Sequence, residues 1–328
     1  MNAPSTEAEP LEMPEPRRVL RRYLLWLAAV PLFVYFFGFA LVRMPGFERW
    51  GGSLYGPSLD FGFAASGVDA DVVIFGDSSA LYDLRPLEMS AALGIKAINI
   101  PNTLGSLPVT DDMALRHYLN TNKPPRLIVF YFSAWNLDYS RHEDLHLIYE
   151  GEEMLARHGS VSQIFRYARR HPDSPLLFPL QMYAVTPKAG FMAAVRRQDR
   201  VAAIAASMGH LDAASRGQHL DSSCVISSKF IDRVDTESVQ TLASRYRSAQ
   251  TAVLVFIAPV PGCRNSSLVT SRSYAAISAA PPKEMQASSF WDDTFYTHLD
   301  PNAVSQATVD LVEAVRLALR GPLDSPQR

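Results

Sequence analysis

The stretch Asp71-Val72-Val73-Ile74-Phe75-Gly76-Asp77-Ser78-Ser79 constrains this chain more than any other. A short β-branched and aromatic run stops abruptly at Gly-Asp-Ser-Ser and gives way to a more helix-like segment, the pattern of a buried parallel strand feeding a tight strand-to-helix turn. Ser78 is then expected at the carboxyl edge of a sheet. A hydroxyl there is exposed, the following helix start favours developing negative charge, and Gly76 lets the backbone turn sharply. A serine capping a helix after a strand reads the same way, so the question is whether the chain supplies partners.

Four more apolar runs follow. They are Lys96–Ile100, Arg126–Phe132, Thr251–Ala258 and the short Ser289–Trp291, read as the last strand. Helical segments at Asp111–Asn120 and Ala303–Leu319 intervene, and the alternation predicts an α/β fold with a doubly wound, mostly parallel sheet in three layers, flavodoxin-like in type. Ligands bind beyond the carboxyl ends of the strands in such sheets. Polar clusters follow three of the runs: Asp77-Ser78, then Pro101-Asn102-Thr103-Leu104-Gly105-Ser106, then Ser133-Ala134-Trp135-Asn136. A fourth comes from Asp292, Asp293 and His298, just before Asp300-Pro301, an N-cap and first-turn proline opening the last helix.

Ahead of this lies a different kind of sequence. Residues Met1–Pro16 are rich in Pro and Glu and read as a solvated tail. Arg17, Arg18, Arg21 and Arg22 then precede an uncharged apolar run, Tyr23–Val42, which as a helix is roughly 30 Å long and enough to cross a bilayer. Its length and flanks favour an uncleaved anchor over a signal peptide. The arginine bias over Arg43 and Arg49 places the N-terminus in the cytoplasm and the rest outside it. The expected organisation is a cytoplasmic tail at 1–21, an anchor at 22–42, a juxtamembrane linker at 43–67, a folded domain at 68–322 and a tail at 323–328. A net charge of −2 with no strong basic excess argues against a nucleic-acid partner.

About a hundred residues, roughly 139–239, separate the third and fourth strands, too many for a simple crossover. They read as an insertion with helices at Met154–Arg170 and Gly190–Met208, an apolar patch at Leu176–Tyr183 and a basic set comprising Arg166, Arg169, Arg170, Arg196, Arg197 and Arg200. That set is either a solvated face or a surface for anionic glycans or lipid headgroups. His142-Glu143-Asp144-Leu145-His146 matches the H-E-x-x-H zinc pattern, but no third ligand follows at a suitable spacing, so no metal and no cofactor are expected. Cys224 and Cys263 are the only cysteines. On an oxidising side of the membrane they would close a disulfide loop worth roughly 3–4 kcal/mol in the chain-entropy view, or remain two buried thiols.

Taken together, Gly76-Asp77-Ser78, Gly105, Asn136 and His298 resemble the blocks of the SGNH or GDSL hydrolases, over roughly 68–319. The resemblance implies Ser78 as nucleophile and His298 as general base, with the Ser78 amide, Gly105 and Asn136 as the oxyanion hole. The family's acid sits three positions before the histidine, which here is Phe295. Asp293, five before, is the expected acid and Asp292 the second candidate. The third block also departs, with Ala134 in place of a glycine and Leu137 in place of an aspartate.

These roles imply serine-based acyl transfer. Similar anchored proteins work beside membrane-bound O-acyltransferases, and the resemblance therefore implies a single-pass protein of the cytoplasmic membrane. Its domain would face the periplasm and move acetyl or other acyl groups onto a polysaccharide or glycolipid acceptor. An esterase or deacetylase with the same residues, and a non-catalytic scaffold or glycan-binding partner, are the alternatives.

Overall fold

The computed structural model describes residues 16–44, 56–141, 148–172, 200–212, 218–248, 250–292 and 296–320. The helices named here, in chain order, are α1 (Pro16–Val42), α2 (Gly56–Ala64), α3 (Ser78–Asp83), α4 (Pro86–Leu93), α5 (Leu107–Thr110), α6 (Met113–Thr121), α7 (Ile148–His158), α8 (Val161–Arg170), α9 (Ser228–Ile231), α10 (Glu237–Tyr246), α11 (Ser267–Thr270) and α12 (Pro301–Arg320), beside a helical segment at 200–206. The main strands are β1 (Val72–Gly76), β2 (Ala97–Pro101), β3 (Leu127–Phe132) and β4 (Ala252–Ile257).

These four strands form one sheet in the order β2-β1-β3-β4, every pair parallel. β1, β2 and β3 are buried throughout, which explains why the sequence shows continuous apolar runs in place of alternation. Alternate residues of β1 serve opposite faces. Val73 and Phe75 pack with Leu115 and Tyr118 of α6 and with Val239 and Leu242 of α10. Val72 and Ile74 pack with Met89 of α4 and with Leu311 and Val315 of α12. Helices thus cover both faces.

The chain runs outward from β1 to β2, then crosses back to β3 on the other side of β1. The reversal leaves a crevice between the carboxyl ends of β1 and β3, the place where doubly wound sheets hold ligands.

Two expectations are corrected, and the linker contains an element that the sequence pattern does not show. Ser289–Trp291 does not join the sheet: Phe290 makes an isolated antiparallel bridge to Leu299 and Trp291 one to His219. Three residues with a buried Phe290 are too few to compete for a sheet edge, and the local hairpin with the chain before α12 satisfies them. The linker contains a helix, α2, because Leu59, Phe61 and Phe63 have apolar partners on the domain. The helix expected over Met154–Arg170 is two helices, broken at Gly159-Ser160, where Ser160 and Gln163 form a reciprocal capping box that starts α8. Residues 200–206 are helical as expected, whereas the earlier part of that expected helix lies outside the described residues, as do the H-E-x-x-H pentapeptide and the Leu176–Tyr183 patch.

The two cysteines are joined, Cys224 to Cys263, closing a loop over 39 positions and tying the chain before α9 to the segment beyond β4. α1 is long and apolar enough to cross a membrane, and only 11% of its apolar window is buried within the protein. Trp26, Phe33 and Phe36 are among its exposed side chains. It is not a core helix.

Gly76 is required for a different reason than the sharp turn. It is absent from the glycines with positive φ, but a Cβ there would lie 1.8 Å from the Tyr131 carbonyl oxygen of β3. Gly76→Ala is expected to lower the unfolding free energy by about 3 kcal/mol, because rigid backbone must move to admit one methyl. Urea denaturation of the two proteins in the same detergent checks this, and an unchanged midpoint would mean that the strands are less tightly apposed.

Candidate active site

Asp77 follows β1 and caps α3. Its Oδ1 accepts from the Ser79 amide at 2.9 Å, the capping geometry expected of Asp before a helix. Its Oδ2 reaches across the crevice to the start of the loop after β3. There it accepts from the Ser133 amide at 3.1 Å, the Ser133 hydroxyl at 3.0 Å and Asn136 Nδ2 at 2.6 Å. The carboxylate is completely buried, and four donors replace the water it has lost. An acceptor-only carboxylate also fixes the Asn136 amide with nitrogen toward Asp77, leaving Asn136 Oδ1 buried without a partner.

Ser78 follows Asp77 as the first residue of α3. His298 arrives from the other end of the chain, 220 positions away, and its Nε2 lies 3.0 Å from Ser78 Oγ. The histidine is buried and sits edge-on to Tyr82, with ring centroids 4.9 Å apart. Its backbone is held on both sides. The His298 carbonyl accepts from the Trp291 amide at 3.0 Å, and the next amide, Leu299, donates to Asp83 Oδ1 at 2.9 Å. Asp83 closes α3, so one six-residue helix carries both the serine and the anchor for the histidine loop. Asp300 then opens α12 as expected, accepting at Oδ1 from the Asn302 amide at 2.9 Å. Burial pushes its carboxyl upward, but the Asn302 and His219 hydrogen bonds outweigh that and hold it below its ordinary value.

Among the other expected residues, Asn136 is brought to the site through Asp77. Gly105 lies buried in the turn before α5, in a loop pinned to β1 by the Asn102 amide donating to the Gly76 carbonyl at 2.8 Å. Asp293 lies outside the described residues, as does Phe295. Asp292 is exposed, with its amide donating to the Gln218 carbonyl at 2.8 Å.

Three contributors were not singled out from the sequence. Asp77 was part of the motif but had no role assigned. Asn102 carries a buried Nδ2 without a hydrogen-bond partner, directly after β2 and beside Gly76; its position after a strand was the available signal. Glu150 on α7 is the third. It is fully buried, accepts from the Thr103 hydroxyl at 2.5 Å, and keeps Oε1 unpartnered. Burial, aided by nearby Glu153 and opposed by the Thr103 hydrogen bond, raises its carboxyl to about 7.

The arrangement can withdraw a proton from a serine hydroxyl and deliver it elsewhere. Among the described residues no group of three or more potential metal ligands exists. Comparison with protein-family models, curated proteins and solved structures finds no match to this chain.

Glu150 yields a pH prediction. Its folded value lies above its ordinary 4.5, so the folded state holds the proton more tightly, and stability is lost as pH rises from about 4.5 to 7. Integrated over that window the loss is on the order of 3 kcal/mol. Glu150→Gln retains an acceptor for Thr103 and removes the titration. Its urea stability relative to the parent is expected to rise between pH 4.5 and pH 8 by about that amount, whereas parallel curves would show that this carboxyl does not titrate there.

Proposed function

We propose that this protein is a membrane-anchored serine acyl-transfer enzyme of the SGNH type, with Ser78 as nucleophile and His298 as general base. The 3.0 Å contact between Ser78 Oγ and His298 Nε2 carries this reading, because two residues 220 positions apart meet at the sheet edge where ligands bind. The helices on both faces of the parallel sheet are compatible with the three-layer SGNH arrangement.

In the first half-reaction Ser78 Oγ attacks an acyl carbonyl carbon while His298 Nε2 accepts its proton. The oxyanion of the tetrahedral intermediate is stabilised by amide donors, here assigned to the Ser78 and Gly105 amides and the second N–H of Asn136 Nδ2. Each such donor is worth about 3–4 kcal/mol. Collapse breaks the bond to the leaving group, which takes the proton from His298 and departs, leaving the acyl group on Ser78. An acceptor hydroxyl then attacks, His298 takes its proton, and the Ser78 alkoxide is expelled and reprotonated. Water in place of the acceptor gives hydrolysis from the same acyl-enzyme. Asp293 is proposed as the carboxylate that orients His298 and stabilises its charged form.

The apolar, exposed α1 supports a membrane span, and the Cys224–Cys263 disulfide supports an oxidising compartment for the domain. An enzyme held at a membrane gains local concentration on an acceptor also held there. A polysaccharide or glycolipid being exported past the cytoplasmic membrane is therefore the proposed acceptor, with a membrane-bound O-acyltransferase as the proposed source of acyl groups.

Purified full-length protein in detergent is expected to release p-nitrophenol from p-nitrophenyl acetate, with kcat lowered by roughly 10⁴ or more in both Ser78→Ala and His298→Ala. Addition of a soluble oligosaccharide should divert acyl groups to sugar hydroxyls, read by mass spectrometry. Equal rates in the three folded proteins would contradict the enzyme reading and favour a non-catalytic scaffold. Hydrolysis without any sugar acylation would favour the esterase.

A further inference from the structure

The strongest surface feature outside the site is α8. Val161, Ile164, Phe165 and Ala168 fall at positions i, i+3, i+4 and i+7, so the helix is amphipathic. The apolar face is only partly used by the domain. Ile164 and Tyr167 pack against Leu59, Met113, Met154 and Leu155. This fixes the helix rotation and leaves Val161 and Phe165, one turn apart, 78% and 71% exposed. Arg166, Arg169 and Arg170 are exposed on the outward side too, and Arg169 continues the Val161–Phe165 stripe by one more turn. No residue of α8 is acidic.

Position decides what such a face meets. Val42, the last residue of α1, is buried against Ala156 of α7. The next residue, Arg43, donates Nε to the Ala156 carbonyl at 2.8 Å and a terminal nitrogen to the Gly159 carbonyl at 2.9 Å. Gly159 is two residues from the start of α8, at most about 7 Å of chain. The apolar helix α1 therefore ends beside α8.

We propose that α8 is an interfacial helix lying on an anionic lipid surface. Val161 and Phe165 enter the boundary between headgroups and acyl chains, and Arg166, Arg169 and Arg170 engage lipid phosphates. An arginine on the apolar stripe is accommodated because its stem lies along the apolar layer while its guanidinium reaches the headgroups. Three arginines near an anionic surface strengthen association by on the order of a hundredfold. The domain is then held to the membrane at two adjacent places, α1 and α8, which fixes its tilt. This inference rests on the reading of α1 as a membrane span, and the experiment separates the two.

The only cysteines are disulfide-bonded, so a single introduced cysteine can carry an environment-sensitive fluorophore. The full chain with Phe165→Cys, Val30→Cys or Leu317→Cys is reconstituted in vesicles of phosphatidylglycerol and phosphatidylcholine containing lipids spin-labelled near the headgroup or at the chain end. Leu317 is exposed on α12, which packs with α4 on the other face of the sheet. The expected result is severalfold quenching at position 165 by the headgroup-proximal label, quenching at position 30 by the chain-end label, and none at 317. In the background of Arg166→Glu, Arg169→Glu and Arg170→Glu, quenching at 165 should fall to the level at 317 while that at 30 persists. Quenching at 30 without quenching at 165 would overturn the proposal and leave the anchor standing. A position 165 shielded from water yet not quenched by lipid would assign the face to a protein partner and overturn it equally. Absence of quenching at 30 would overturn the span itself.

Discussion

The buried carboxylate of Asp77 is the interaction on which the rest of the site depends. It stands where the sheet reverses its winding, and its two oxygens join the start of α3 to the loop after β3. A buried charge of this kind is tolerated only while every lone pair facing protein has a donor. Ser79, Ser133 and Asn136 therefore have to be present together and in register. Gly76, pressed on the Tyr131 carbonyl, sets the distance between the strands that makes the bridge reachable. Ser78 is positioned as a consequence, because the residue after a fixed cap at the start of a helix has little backbone freedom.

A second line of structure runs from the end of α1 to the same edge of the sheet. Arg43 binds the carboxyl end of α7, and Glu150, near the amino end of α7, holds Thr103 in the loop that carries Gly105. One helix of eleven residues thus touches the end of α1 at one end and the proposed oxyanion loop at the other. Both contacts are made by residues of the insertion between β3 and β4. The insertion is structural framework for the loop after β2 as well as an excursion from the sheet.

The parts of the fold that were legible in the sequence are those set by local pattern. Buried parallel strands are continuous apolar runs, and β1 to β4 were read within one or two residues. The placement of Ser78 and His298 on one edge is legible for the same reason, since a serine after a strand and a histidine before a capped helix fall together once the sheet is parallel, whereas their proposed roles rest on the family resemblance. What was not legible depends on tertiary partners. The expected strand at Ser289–Trp291 has the right composition but pairs locally with Leu299 and His219. α2 has no recognisable period, and only its neighbours make it worth folding. Ser160 and Gln163 stand at capping-box spacing, a local signal that a single helix over Met154–Arg170 overlooks. The role of Asp77 is hidden because the donors to its Oδ2 come from 56 and 59 positions away, and Glu150 reads as one more acid on a polar helix until Thr103 is placed beside it.

The central claim is that Ser78 is an activated nucleophile, and a fluorophosphonate tests it without knowledge of donor or acceptor, since it phosphonylates serines whose hydroxyl proton is being withdrawn. Full-length protein in detergent is incubated with the reagent, digested and sequenced by mass spectrometry. The account predicts a single adduct on Ser78, lost in a folded His298→Ala protein. A folded parent protein that takes up no adduct, or takes it up at another serine, would contradict it.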